Sequence, residues 1–245
     1  NQKMSEFKRG FNYLLSGFAL ILIPKIRFYS LTPLLLNISL FLVLIFYSYG
    51  ELEKTISSLE LQWQWLEWLS WMIWLFFFIG VSIVIFFCFS ILGNLISAPF
   101  NSILAKAVEE ELLGKKIDTD KGQSLFDLVI NSFKSEYHKL LYFTFRVPIL
   151  IVLFFIPLLN IVAPVIWFIF SSWMIAIEYC DFPMSNHDIE FARQRERLSK
   201  KLPLVYGFGV GVLLFTIIPV VNFIIIPVAV AGATKMCIES MKLEQ

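Results

Sequence analysis

The sequence predicts an all-α integral membrane protein. It reads as two long transmembrane helices, two Pro/Asn-broken hemi-penetrating helical hairpins, and a cytoplasmic amphipathic helical hairpin. Three observations predict this. Hydrophobic residues make up 58% of the chain and charged residues only 16%, against about 25% charged in an ordinary soluble domain. A charge-free run from Leu69 to Ile96 exceeds the ~20 apolar residues a helix needs to cross a bilayer. A Pro-apolar-apolar-Asn break recurs in the middle of two further apolar regions.

The first element, residues 1–31, places Lys3, Lys8 and Arg9 ahead of an apolar stretch from Phe11 to Ile23. That resembles a signal peptide. No small-residue cleavage site follows it, however, and Lys25 and Arg27 come next. A retained helix on the membrane surface is the expectation. Residues 32–50 form the first span, with Thr32 as N-cap and Pro33 at the first helical position. An acidic loop holding Glu51, Glu53, Glu60 and Glu67 follows. The second span is 69–98, preceded by Trp63, Trp65, Trp68 and Trp71 as an interfacial belt. Pro99, within Ser97-Ala98-Pro99-Phe100-Asn101, is expected to end it.

Residues 101–140 read as amphipathic helices. Ile103, Leu104, Val108 and Leu112 share one stripe, while Lys106, Glu109 and Glu110 fall off it. Gly114 and Lys115 mark a helix stop, and 115–123 a polar turn. A second stripe uses Phe126, Val129, Ile130, Phe133 and Tyr137. Lysine and arginine concentrate at the N-terminus, between Lys106 and Arg146, and between Arg193 and Lys201. The inside-positive rule puts these regions and both termini in the cytoplasm, with the acidic loop outside.

The broken hairpins are 141–180, around Pro157-Leu158-Leu159-Asn160, and 202–237, around Pro219-Val220-Val221-Asn222. Proline removes a donor and clashes with the preceding turn, and asparagine favours turns. The arm from Thr144 to Ile156 is about 13 residues, or ~20 Å at helical rise, short of the ~30 Å hydrocarbon core. Both flanks are basic, so each hairpin is expected to enter from the cytoplasm and turn back. Two kinked hairpins that cross fully are the alternative. Paired broken helices also point to a transport site.

Lys25 and Arg27 stand immediately before a span. A helix start favours anions, and a guanidinium fork suits sulfate or phosphate. Backbone amides from Ile26 to Phe28 complete the expected site. A role in topology and headgroup binding is the alternative. Arg146, Glu178 and Asp181 are candidates for an anion path or gate, since ionisable groups at membrane depth are functional candidates. Arg146 as a headgroup anchor, and Glu178 and Asp181 in a structural ion pair with a nearby arginine, are the plainer accounts. Gly207, Gly209 and Gly211 sit in an apolar helix with no preceding strand, so they read as helix packing.

Cys88, Cys180 and Cys237 match no redox or metal spacing. His138 and His187 lie far apart with no carboxylate cluster. Neither a metal nor a cofactor is expected. No catalytic constellation or Walker motif is present, so an enzyme is not expected, and a net charge of +1 gives no sign of nucleic-acid binding.

Several segments together are similar to the bacterial CysZ sulfate permease family over nearly the whole chain. They are Ser97-Ala98-Pro99-Phe100-Asn101 with Leu104-Ala105; Ala163-Pro164-Val165-Ile166-Trp167-Phe168; Ser172-Trp173-Met174; Tyr179-Cys180-Asp181-Phe182-Pro183 with Asn186-His187; and Ile218 to Asn222 with Pro227-Val228-Ala229-Val230 and Gly232-Ala233-Thr234. The resemblance implies sulfate uptake across the inner membrane for cysteine biosynthesis, two long spans with two hemi-penetrating hairpins, and a homo-oligomer in the lipid bilayer. The family's sulfate-binding stretch, Gly-apolar-Arg, maps onto Lys25-Ile26-Arg27. Arg27 carries over and Lys25 replaces the glycine, so the set Lys25, Ile26, Arg27 and Phe28 is what the resemblance implies for sulfate. The residues themselves do not separate sulfate from related oxyanions. A non-transporting membrane scaffold, docking partners on 101–140, is the rival function.

Overall fold

A computed structural model describes residues 2–32, 70–115, 125–241 and 243, with isolated positions 35, 39, 42, 43, 46, 47, 49–51 and 54. Among the described residues all regular structure is helical. The helices are α1 (Gln2–Ile21), α2 (Pro24–Thr32), α3 (Ser70–Leu113), α4 (Leu125–Phe155), α5 (Ala163–Ser185), α6 (Phe191–Ser199), α7 (Leu202–Thr216) and α8 (Pro219–Met241). A 3-10 turn at Leu159–Ile161 lies between α4 and α5. The chain forms two compact units, one of residues 1–31 with 98–245 and one of residues 32–97. Most of the expected span 32–50, the acidic loop, the 115–123 turn and the stripe from Phe126 to Phe133 lie outside the described residues or side chains, as does the Cys88 thiol.

In the smaller unit, Trp71, Phe76 and Phe78 are exposed apolar side chains, and Glu51 and Lys54 pair at 2.8 Å on an exposed turn of helix. The larger unit has a core built where α1 packs on α7 and α8, and α5 packs on the same two helices. Leu14, Ile177, Leu204, Phe208, Ile225 and Met236 are fully buried there, and Cys180 and Cys237 lie among them as free thiols.

In lipid such burial is not driven by water, so close packing and polar contacts must hold the helices together. Both are present. A methyl group on Gly10 would fall on the Leu204 carbonyl, and one on Gly207 on the Phe7 carbonyl. The backbones of α1 and α7 therefore touch. Gly209 meets the Ser172 backbone of α5 in the same way, and Gly211 faces Phe11 and Leu14. The packing role read for the three α7 glycines is what the structure shows. On the polar side, Tyr13 donates to Glu239 at 2.9 Å, lies 3.1 Å from the Ser240 hydroxyl, and accepts from Arg9 at 3.1 Å.

α1 does not continue to residue 31. The chain bends by 98° at Leu22 and Ile23, and α2 begins at Pro24, a proline in the first turn where no amide partner is lost. One face of α1, with Tyr13 and Leu14, is part of the core.

One proline expectation changes, and a second proline behaves the same way. α3 runs through Pro99, and α4 runs through Pro148. Membrane helices tolerate proline where neighbouring groups re-satisfy the freed carbonyl. So the second apolar stretch and the amphipathic stripe after it are one helix. It stops at Leu113, where Gly114 takes the left-handed conformation with φ 63°. The arm thought to start at Thr144 is likewise part of a 31-residue helix.

The Pro-apolar-apolar-Asn segments also act differently from each other. At the first, the helix stops at Phe155, and Leu158 rather than Asn160 takes positive φ (73°). At the second, the break is only Ile217 and Ile218, Pro219 starts α8, and Asn222 lies inside that helix. α5 folds back along α4. The contacts Phe154 to Trp167 (6.3 Å), Phe143 to Phe170 (6.2 Å) and Tyr142 to Trp173 (3.2 Å) run in opposite chain order. At the base of the second hairpin, Lys201 donates to the Ser240 carbonyl at 2.5 Å. The tips are apolar and exposed: Phe155, Leu158 and Ile161 on the first, Ile217 and Ile218 on the second. Among the described residues three segments are long and apolar enough to cross a membrane, Tyr137–Phe155, Ala163–Ser185 and Ile224–Met241. The number is up to five if each of the bent pairs α1/α2 and α6/α7 is one span.

Candidate functional site

The start of α2 is positioned by one side chain. Ile26 is fully buried against Leu20, Leu104, Ala105, Val108, Phe182 and Val230. With Ile26 locked inward, its neighbours Lys25 and Arg27 are turned outward, about 100° away on either side of the helix, and both are exposed. Lys25 reaches Glu111 on α3 at 3.2 Å, an exposed pair of small energetic worth. Arg27 makes no ion pair among the described residues. Phe28 is 71% exposed beside it, and its ring meets that of Tyr29 edge-on at 5.8 Å.

The backbone differs from the expected arrangement. The Ile26 and Arg27 amides both donate to the Ile23 carbonyl, at 2.9 and 2.8 Å. They close the first turn of α2 instead of facing outward. The positive end of the α2 dipole and the Arg27 fork remain as the anion-attracting features. This pairing follows from the 98° bend, which leaves the Ile23 carbonyl at the head of the new helix.

Glu178 and Asp181 do not face this site. Both hold Lys139 of α4, each at 3.0 Å. Lys139 and Asp181 are buried, while Glu178 is 41% exposed. Asp181 also accepts from Ser185 at 2.6 Å and from Gln194 at 2.9 Å. A buried carboxylate with one cation and two neutral donors is well compensated, so this cluster ties α4, α5 and α6 together. Lys139 was not singled out in the sequence, although it lies one turn before Tyr142 and two before Arg146 on the same helix face.

A contact between a buried carboxylate and a histidine was also missed. Glu109 is 1% exposed, not on a solvated face, and its carboxylate lies 2.7 Å from His187 Nε2. Asn186 donates to the Ser102 carbonyl at 2.8 Å beside it. The turn after α5 is thereby fastened to the end of α3. The available signal was the stripe Asn101, Ala105, Glu109, spaced by four and buried throughout.

Arg146 stands apart from these pairs. Its Cζ lies 3.6 Å from the centre of the Tyr142 ring, and it donates to the Tyr142 carbonyl at 3.3 Å.

A helical bundle with apolar hairpin tips, glycine-mediated helix contacts and charges gathered at the hairpin bases defines a multi-pass membrane protein. The sequence comparisons agree with that class. Residues 13–227 match the family model described as "Sulfate transporter CysZ/Etoposide-induced protein 2.4". The chain belongs to that family. It is 42% identical over 243 residues to the "Sulfate transporter CysZ" of Vibrio parahaemolyticus, covering 97% of each chain. It is 38% identical to the protein of that name from Vibrio cholerae serotype O1, covering 97% of this chain and 96% of the relative. With the one from Pectobacterium atrosepticum it shares 37% identity over 95% of this chain and 85% of the relative.

Proposed function

We propose that this protein carries sulfate across the bacterial inner membrane, supplying cysteine synthesis, and that Arg27 holds the oxyanion at the start of α2. The exposed guanidinium at a helix start, with no ion-pair partner among the described residues, is the observation that carries the reading. The names of the relatives support sulfate as the anion. Lys25 contributes charge but is shared with Glu111, and Ile26 acts as the anchor that aims Arg27. Arg146 lines the anion path, while Glu178 and Asp181 brace it through Lys139.

Both termini lie in the cytoplasm, and the two hairpins are re-entrant in a homo-oligomer. Two features support re-entry, the first of them for the second hairpin alone, since Tyr137–Phe155 and Ala163–Ser185 of the first are long enough to cross. The 15-residue α7 spans only ~22 Å at helical rise, short of a bilayer core of ~30 Å. The charged bases of both hairpins are joined through the short, charged α6, which favours their lying on one side.

Uptake of radiolabelled sulfate into proteoliposomes tests the function. Arg27→Ala is expected to lower uptake about tenfold or more, the scale of one charge-assisted contact. Arg27→Lys falls between, because it keeps charge but loses the fork. Wild-type flux from Arg27→Ala would overturn the site. Competition by sulfite, thiosulfate and molybdate at two pH values reads the selectivity and any proton coupling. Cysteines introduced at Asn160 and Asn222 are expected to resist labelling from outside, and ready labelling would establish full crossing.

A further inference from the structure

We infer that Arg146, Tyr142 and Arg195 form a second oxyanion-binding site, remote in sequence from Arg27, which takes a tetrahedral sulfate- or phosphate-type anion. The inference does not rest on the transport reading. Two guanidinium groups share one aromatic ring: Arg146 Cζ lies 3.6 Å and Arg195 Cζ 4.7 Å from the centre of Tyr142. The two cations can be no farther apart than those distances laid end to end. Like charges held so close repel, and a cation-ring attraction compensates only in part.

Two neighbouring cations are neutralised by acids, in contrast, while Arg197 on α6 shares the lack of an ion pair among the described residues and has a buried donor without an acceptor. One turn earlier on α4, Lys139 has Glu178 and Asp181 opposite it. On α6, Glu196 is taken by Lys200 at 2.6 Å. Opposite Tyr142, α5 supplies Trp173 instead of a carboxylate, and its indole donates to the Tyr142 hydroxyl at 3.2 Å. Neither Arg146 nor Arg195 makes an ion pair among the described residues. The Arg195 Nε atom is buried and has no acceptor among them, although a buried donor without an acceptor is costly.

An anion bound here relieves the repulsion and offers the orphaned donor an acceptor. The fork of each guanidinium matches the oxygen spacing of a tetrahedral oxyanion. The Tyr142 hydroxyl, which accepts from Trp173, keeps its own proton to donate. Arg146 is exposed and Arg195 partly so, which leaves an approach for a ligand. Free sulfate or phosphate and the phosphodiester of an anionic lipid share this chemistry.

The test uses the full chain, delipidated in detergent and carrying Arg27→Ala, so that failure of the first site cannot mask the second. Equilibrium dialysis with radiolabelled sulfate is expected to show saturable binding, weakened about tenfold or more by Arg146→Gln or Arg195→Gln. Native mass spectrometry with phosphatidylglycerol and phosphatidylcholine forms the second arm. Loss of phosphatidylglycerol adducts in the same variants, with sulfate binding unchanged, assigns the site to a lipid headgroup. Loss of sulfate binding with adducts unchanged assigns it to the free anion. If either glutamine variant unfolds, Arg146→Lys and Arg195→Lys keep charge and stem, and still weaken binding by removing the fork. Sulfate and lipid binding both unchanged in the double variant would overturn the site.

Discussion

Replacing Lys139 by methionine removes the buried cation paired with Asp181 and keeps the stem of the side chain. At 3.0 Å and an effective dielectric of about 20, the gross Coulomb attraction in this pair is about 5 kcal/mol. Desolvation offsets much of it, and breaking a buried pair from one side typically costs about 3–5 kcal/mol. Two features set the expected value at the lower end. Asp181 keeps its bonds from Ser185 and Gln194. Glu178, being 41% exposed, recovers solvent and adds no more than about 1 kcal/mol. Lys139→Met is therefore expected to destabilise the protein by about 3 kcal/mol. Asp181→Asn costs less, about 1–2 kcal/mol, because Lys139 retains Glu178 and the amide oxygen still accepts. Adding Asp181→Asn to Lys139→Met is expected to restore part of the loss, since no buried charge is then left unpaired. Denaturant titration in detergent, followed by far-UV circular dichroism, measures all three. A loss below about 1 kcal/mol for Lys139→Met, or a double variant no more stable than that single one, would refute the argument.

Three further outcomes follow from the packing. Gly207→Ala or Gly10→Ala places a methyl on a facing carbonyl and is expected to cost about 1–3 kcal/mol or more by overpacking, whereas Gly80→Ala, with open space around it, is neutral in the same titration. Tyr13→Phe removes the buried hydroxyl that joins Arg9, Glu239 and Ser240, an expected loss of about 1–3 kcal/mol, with faster hydrogen exchange at both the α1 and α8 ends. His187→Ala leaves the 1% exposed Glu109 carboxylate without its partner and is expected to destabilise by about 2–3 kcal/mol. Glu109→Gln alone, which can still hydrogen-bond the imidazole, is expected to cost less, and proteolysis of the turn after α5 reads both.

Membrane insertion, the helical class and the breaks near Pro157 and Pro219 are legible in the sequence, because each depends on local chemistry, whereas the 98° bend at Leu22 and Ile23 is not. Charge-free length sets insertion, the lack of a side chain on Gly114 allows the left-handed stop after α3, and proline with its β-preferring predecessor weakens a helix at a known place. Even so, proline alone is ambiguous. Pro157 and Pro219 lie at breaks, while Pro99 and Pro148 lie within continuous helices. Pro99 and Pro148 each cost their helix a backbone hydrogen bond, while Pro157 and Pro219 sit where none is lost, and the tertiary surroundings decide whether the helix continues.

Charge pairing was the least legible property. The periodicity of 101–113 put Glu109 on the polar side, yet its partner His187 is 78 residues away and comes into reach only when the turn after α5 docks on α3. The same holds for Lys139, whose partners Glu178 and Asp181 reach it through the α4 and α5 hairpin, whereas Arg146 lies on Tyr142 of its own helix, which α5 meets with Trp173. By itself the sequence determined that this chain lives in a bilayer, that it is built of helices, and that Arg27 stands at a helix start. Only the tertiary structure decided which cations are neutralised and which remain available to an anion. The physical reason is range: insertion and helix formation sum over neighbours in the chain, while a charge pair exists only where two distant segments meet within a few ångströms.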